Sequence, residues 1–288
     1  MCRLFEYSKE KLFIRSACGR FHNKFSFVVM ADSQIDNDPH ATAVFQAALK
    51  MAARYDPLFI LHCGDIVRTG KSDSFAYFLA LLNQIPEIYD IPLFVVAGNH
   101  ECSIKDIDSY KYFKQMIGPL NFTISLPTQQ LTICGINTAD YRADPNSLAG
   151  LNYSLQRYDQ LVKIVAMHIP PHAGTFKDFT AFSQVFHPVY RSNTFIDGTP
   201  DLLHILGIHQ VAMAFSGHIH AYLPAIINLP DCPGPNPITG QAAIPWIVTG
   251  GAGATLIPGF SFHFLVITVK VQDNDNFTCQ VSVVPIYV

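Results

Sequence analysis

Short blocks of consecutive apolar residues, each closed by a polar turn, punctuate the first hundred positions. Phe25–Ala31 (Phe-Ser-Phe-Val-Val-Met-Ala) is such a block, and a turn through Asp36, Asp38 and Pro39 follows it. Runs this short and this apolar read as strands buried on both faces. From about Ala41 to Arg54 the period changes. Val44, Ala48, Leu49 and Ala52 recur at helical spacing there and give one apolar face. Asp56-Pro57 breaks the chain before a second buried strand, Leu58–Cys63. A helix over about Ser74–Gln84, closed by Pro86, leads to a third strand, Pro92–Ala97. Strand–helix alternation of this kind predicts a parallel sheet with helical crossovers.

The pattern then changes. Phe122–Leu126 and Leu131–Asn137 are separated only by Pro127–Gln130, a spacing that suits an antiparallel hairpin. Ser154–Val162 reads as a helix capped by Ser154, and Lys163–Met167 as a strand ending at His168. From Pro170 to about Thr199 the chain is irregular and aromatic; its segment Phe176–Tyr190 reads equally well as a lid or as packing beneath a long loop. Pro200–Leu206 predicts a helix, and Val211–Phe215 a strand running into Ser216-Gly217-His218-Ile219-His220. Pro230, Pro233, Pro235 and Pro237 make Leu229–Pro245 a loop. Trp246–Thr249, Phe262–Gln272 and Phe277–Val288 alternate as antiparallel strands do. The reading is one domain of two mixed sheets over residues 25–288, after a leader, residues 1–24, of unassigned order.

Composition narrows this picture. Of 288 residues, 49% are hydrophobic and only 14% charged, with a mean hydropathy of +0.21. No stretch approaches the roughly 18–20 uninterrupted apolar residues of a membrane helix, so doubly buried strands account for the apolarity. A balance of 19 basic against 22 acidic residues gives a net charge of −3. That balance points to no nucleic-acid surface and no polybasic membrane patch. Seven cysteines, an odd number in a chain too long to need stapling, argue against a disulfide framework. The leader mixes Glu6, Lys9, Glu10, Lys11 and Arg15 with short apolar pieces and lacks a secretory apolar segment, so a cytoplasmic location is expected.

The candidate chemistry sits just past the predicted strands. Asp32 follows the first, Gly64-Asp65 the second and Gly98-Asn99-His100-Glu101 the third; His168 follows another, and His218 and His220 a fifth. Open α/β sheets place ligands at the carboxyl ends of their strands. Taken singly, Asp32 reads as a helix-capping acid and Asn99 as turn chemistry. Together they are oxygen and nitrogen donors of the kind that hold metals.

In this order, Asp32-x-x, Gly64-Asp65, Gly98-Asn99-His100-Glu101, His168 and Gly217-His218-Ile219-His220 resemble the calcineurin-like metallophosphoesterase superfamily over about residues 25 to 253. Gly250-Gly251-Ala252-Gly253 resembles that family's glycine-rich turn. The resemblance implies a four-layer α/β/β/α sandwich with two mixed β-sheets. It also implies two divalent ions of the manganese, iron or zinc type. Asp65 would bridge them, Asp32 and His220 would hold the first, and Asn99, His168 and His218 the second. His100 would stabilise charge on the phosphoryl group and protonate the leaving oxygen, and Glu101 would orient His100 from behind. The implied reaction is hydrolysis of a phosphate mono- or diester by a hydroxide bridging the ions. The implied partner is a phosphorylated small molecule or macromolecule.

One position departs from the family pattern, Asp32-Ser33-Gln34 standing where Asp-x-His is usual. The amide oxygen of Gln34 can coordinate but is a weaker ligand than imidazole for transition metals. His40 is a less favoured stand-in. The departure leaves room for the alternative of a weakly active or non-catalytic scaffold that binds a protein partner. Arg68, Arg142 and Arg191 are the candidate phosphate contacts.

Overall fold

The computed structural model of the chain describes residues 3–36, 38–102, 110–171, 197–229, 231–272 and 276–288. Two sheets carry the chain. The first joins β1 (Lys24–Met30), β2 (Ile60–His62), β3 (Leu93–Val95), β10 (His263–Gln272) and β11 (Asn276–Pro285) in the order β11-β10-β1-β2-β3. The second joins β4 (Phe122–Leu126), β5 (Leu131–Gly135), β6 (Val162–Ala166), β7 (Met213–Ser216), β8 (Leu223–Asn228) and β9 (Ala243–Val248) in the order β4-β5-β6-β7-β9-β8. Strands β1, β2 and β3 are parallel, as are β5, β6, β7 and β9; the remaining pairings, β1–β10, β10–β11, β4–β5 and β8–β9, are antiparallel.

The central strands bury both faces, which is why they read as unbroken apolar runs. Facing inward, Phe27 stacks on Phe59 at 4.9 Å and meets Phe215 of the other sheet edge-on at 6.1 Å. On the outer face of the first sheet, Phe45 of α2 (Pro39–Ala53) and Phe75 and Phe78 of α3 (Ser72–Leu82) pack with Met30 and Ile60; α4 (Lys111–Met116) adds Phe113. On the outer face of the second, Leu148 of α5 (Pro145–Arg157) and Leu202 of α6 (Thr199–Ile208) pack with Trp246. The layers are therefore α/β/β/α, as the resemblance implies.

The expected leader contains a helix, α1 (Leu4–Ser16), lying along the two edge strands β3 and β4. Phe5 packs on Phe94 at 5.8 Å and on Phe122 at 5.4 Å, one ring from each sheet. The Ser8 hydroxyl accepts the Leu93 backbone N–H at 3.1 Å. An edge strand otherwise exposes that group to any passing chain, so α1 closes the open side of the sandwich.

Three other expectations need correction. The helix expected over Ser154–Val162 is α5, which begins at Pro145 and ends at Arg157. Its cap is Asp144, whose carboxylate accepts the backbone N–H of Asn146 and of Ser147 at 3.0 and 3.1 Å. Asp-Pro at this point starts a helix rather than a turn, because proline is pre-shaped for the first helical position. The strand at Trp246 begins at Ala243, inside the expected loop, and runs parallel to β7. The antiparallel partner that this reading lacked is β8, whose outward residues Pro224 and Ile226 hide a period of two. The aromatic segment Phe176–Tyr190 lies outside the described residues.

Candidate metal centre

Both parallel sets of strands end at one rim, and the candidate donors sit on the loops just beyond it. Asp32 and Asp65 follow β1 and β2, bound to each other's backbones by Asp32 N–H to the Gly64 carbonyl (3.0 Å) and Gln34 N–H to the Asp65 carbonyl (2.9 Å). The glycine turn after β9 crosses from the second sheet to the first, with Ala252 and Ala254 N–H donating to the Ala31 and Asp32 carbonyls at 3.1 and 2.8 Å. The backbone here is unusual. Six of the ten non-glycine residues with positive φ among the described ones line this rim: Asp32, Gln34, Asp65, Tyr141, His218 and His220. Strain of this kind persists where surrounding structure over-determines it, commonly at functional sites.

The side chains converge in two groups that share Asp65. Donor atoms of Asp65, His168 and His218 lie within 4.8 Å of one another, and so do those of Asp32, Asp65 and His220. His168 is fully buried; its Nδ1 donates to the Cys63 carbonyl at 2.7 Å, and its Nε2 lies 3.3 Å from Asp65 Oδ1 and 3.1 Å from Asn99 Oδ1. His220 Nδ1 donates to the Thr255 carbonyl at 2.7 Å, and its Nε2 stands 3.5 Å from Asp32 Oδ1. Backbone carbonyls thus fix which nitrogen of each ring faces the carboxylates, an arrangement common behind metal-binding imidazoles.

Electrostatics tie these groups together. Burial alone would raise the Asp65 carboxyl, but the charge and hydrogen bond of His168, with a smaller contribution from His100, hold it well below the usual carboxylate range. Burial opposes charge on His168, yet Asp65 beside it and Asp32 beyond it raise the ring to about 9. His218 is pushed down to about 3 by burial and by the charge of His168.

The donor set fits divalent cations. Asp32 is fully buried, and its Oδ1 makes no hydrogen bond and has His220 Nε2 at 3.5 Å; a buried carboxylate oxygen is costly unless a cation meets it. Space is reserved as well. A Cβ on Gly98 would lie 2.2 Å from Asp65 Oδ1, and one on Gly250 would lie 2.9 Å from Asp32 Oδ2. Larger residues there would strike the carboxylates.

A comparison with protein-family profiles matches residues 25–222 to the calcineurin-like phosphoesterases. The chain belongs to that family. No curated protein matches it by sequence. Among solved structures it is similar to a dimetal phosphatase from Danio rerio, at 13% identity and a TM-score of 0.59, over 91% of this chain and 99% of that one. It is also similar to GAP50, the anchor in the inner membrane complex of Plasmodium, at 12% identity and a TM-score of 0.54, over 92% of this chain and 90% of that one. Those likenesses are of fold, and the fold is the family's two mixed sheets with flanking helices. No described helix is long and apolar enough to cross a membrane.

The remaining candidate residues fall into place unevenly. Gln34 does reach the centre: its side-chain nitrogen lies 3.2 Å from Asp65 Oδ2 and 3.4 Å from His220 Nε2. A half-turn of the amide puts its oxygen there instead. His40 does not reach it, its ring lying against Phe262 at the start of α2. His100 lines the cleft and donates its backbone N–H to Asp65 Oδ1 at 2.9 Å. Glu101 does not orient the His100 ring, whose Nδ1 bonds the Arg68 carbonyl at 2.8 Å. Buried Glu101 instead accepts the backbone N–H of Gly98, Asp65 and Val67 at 2.6, 2.7 and 3.2 Å, so it positions the loop that carries Asp65. Burial and the charge of Asp65 push Glu101 up to about 8.

Arg68 is half-exposed and 3.8 Å from Asp38, and Arg142 lines a different cleft beside Asp144 and Asp201. Neither lines the cleft over the carboxylates, and Arg191 lies outside the described residues. Sequence reasoning missed two residues. Buried His62, lowered to about 3 by burial and by His168, bonds Ser33 Oγ through Nε2 at 3.1 Å, and Ser33 donates to the Ile66 carbonyl at 3.1 Å. That chain ties the Asp32 loop to the Asp65 loop. Tyr141 is the other, in the loop after β5 at the same rim, its hydroxyl 3.2 Å from His218 Nε2. Its place past a strand end was the available signal.

Proposed function

We propose that this chain is a metal-dependent phosphoesterase that hydrolyses a phosphate mono- or diester in the cleft over Asp65. The observation that carries the reading is the pair of donor groups meeting at one carboxylate. Asp32, Gln34 and His220 would hold one divalent ion with Asp65, and Asn99, His168 and His218 would hold the other. Bound there, a pair of ions meets charge on the phosphoryl oxygens and lowers the pKa of water toward neutrality. The cleft, about 530 Å³, is lined by Asp65, Asn99, His100, Tyr141, His218 and His220 together with the stretch Thr255–Pro258.

His100 supplies the proton. The Arg68 carbonyl can only accept, so Nδ1 carries a hydrogen and Nε2 is left facing the cleft, 3.8 Å from Asp65 Oδ2. As the imidazolium, the ring donates from Nε2 to a phosphoryl oxygen and passes that proton to the leaving oxygen when the ester bond breaks. The substrate is a phosphorylated small molecule or macromolecule, since the chemistry proposed for the cleft acts on a phosphoryl group.

A second reading has Gln34 behind it. A chain of this fold that lost its first ion would serve as a scaffold, and GAP50 is an anchor built on a similar fold. Elemental analysis together with bis-p-nitrophenyl phosphate hydrolysis in added manganese separates the two readings. Two ions with turnover support the enzyme; one ion or none, without turnover, supports the scaffold. His100→Ala should keep both ions and lose on the order of 10²–10⁴ in rate. A parallel loss of metal would mean His100 has been given the wrong task.

A further inference from the structure

Tyr141 sits in the turn Thr138-Ala139-Asp140-Tyr141 beyond β5, closed by Tyr141 N–H to the Thr138 carbonyl at 3.0 Å. Asp140 anchors this turn by accepting the Tyr110 hydroxyl at 2.8 Å. Tyr141 itself has φ +59°, a left-handed conformation that is strained for a residue other than glycine. Burial in the core does not offset that strain. The side chain is 41% exposed and belongs to none of the three apolar clusters. The conformation instead stands the ring edge-on to His218, centroids 5.5 Å apart, with its hydroxyl 3.2 Å from His218 Nε2. The hydroxyl thereby faces the same cleft as Asp65 and His100.

From this placement we infer that Tyr141 is a further substrate-binding residue of the proposed phosphoesterase, donating a hydrogen bond to a non-bridging phosphoryl oxygen. An imidazole nitrogen that ligates a cation has no lone pair left for a phenol. Held to an ion through either nitrogen, the neutral His218 ring would keep no lone pair for the phenol, its other nitrogen carrying the hydrogen, so the Tyr141 O–H would turn to another acceptor, and phosphate in the cleft would provide one. The phenol comes from a different loop than His100 and adds a donor without adding charge. Donors aimed in advance at developing charge are among the larger contributions to catalysis.

The inference rests on the function proposed above, and its test keeps the two apart. Wild type and Tyr141→Phe, both loaded with manganese, are compared for metal content, for inorganic phosphate affinity by calorimetry, and for kcat and KM on bis-p-nitrophenyl phosphate. Tyr141→Phe should keep both ions, bind phosphate several-fold more weakly and lose on the order of 10–100-fold in kcat, with KM changed less. Loss of an ion from the variant would overturn the inference, since the hydroxyl would then be positioning His218. Unchanged phosphate affinity and kcat would overturn it too. If wild type holds ions and binds phosphate without hydrolysing the ester, only the phosphoesterase reading fails, and the difference in phosphate affinity decides the role of Tyr141. Wild type that binds neither ions nor phosphate removes both.

Discussion

Around Asp65, one group of donors pairs Asp32 with His220 and the amide of Gln34; the other pairs His168 with His218 and Asn99. The first group has two carboxylates and one imidazole, the second has one carboxylate and two imidazoles. Gln34 makes the difference in imidazoles, because a histidine there would have given the first group two as well; Asp32 against Asn99 makes the difference in carboxylates. Imidazole-rich sets favour zinc and iron, whereas carboxylate and amide oxygens suit manganese. The two halves are buried alike, each keeping one half-buried imidazole, His218 in one and His220 in the other. The comparison teaches that one shared carboxylate can join a harder position to a softer one.

The largest blow to that picture is Asp65→Ala, which removes the ligand common to both halves. Metal content should fall for both ions and phosphoesterase activity by 10³-fold or more, on the scale of removing the principal electrostatic stabilisation. Two ions retained in Asp65→Ala would break the shared-carboxylate arrangement. Gln34→His probes the asymmetry itself. It should tighten zinc binding at the first position by about 10–100-fold, the scale of changes in a metal's immediate surroundings. Competitive titration of manganese against zinc reads this directly, and equal preferences before and after the substitution would leave Gln34 without a role in metal choice.

A smaller effect comes from His168. Both of its ring nitrogens face oxygen acceptors and its pKa is raised to about 9, so without a metal at pH 7 the ring is charged. A divalent ion needs the neutral ring, so binding in the half that contains His168 should release close to one proton. Apparent affinity there should climb about tenfold per pH unit below 9 and level off above it. Calorimetry in two buffers of different ionisation enthalpy counts the proton; no release would mean that His168 is already neutral.

The layers and the rim were legible because they depend on local pattern. β1, β2 and β3 are doubly buried and so unbroken, and the chemistry follows each of them directly. α5 was misplaced because Asp144-Pro145 reads equally as a turn and as a capped helix start, and only packing of Leu148 and Leu151 against β5 and β6 decides between them. β8 escaped because its exposed face carries apolar residues. The resemblance implied that Glu101 orients its neighbour His100. The partners of Glu101 are Gly98 close by and Asp65 and Val67 more than thirty residues away.

The sequence by itself determined which residue types stand at the strand ends, and hence the family, the layers and the donor chemistry. Spacing along one chain carries that information, since a strand and its closing turn are local objects. Tertiary structure alone decided the company each donor keeps. Asp32 meets His218 N–H across 186 positions, and Tyr141 meets His218 across 77. The first contact crosses between two sheets packed face to face, and the second joins the ends of two strands of one sheet, all of them meeting at one rim. No local rule sets that distance.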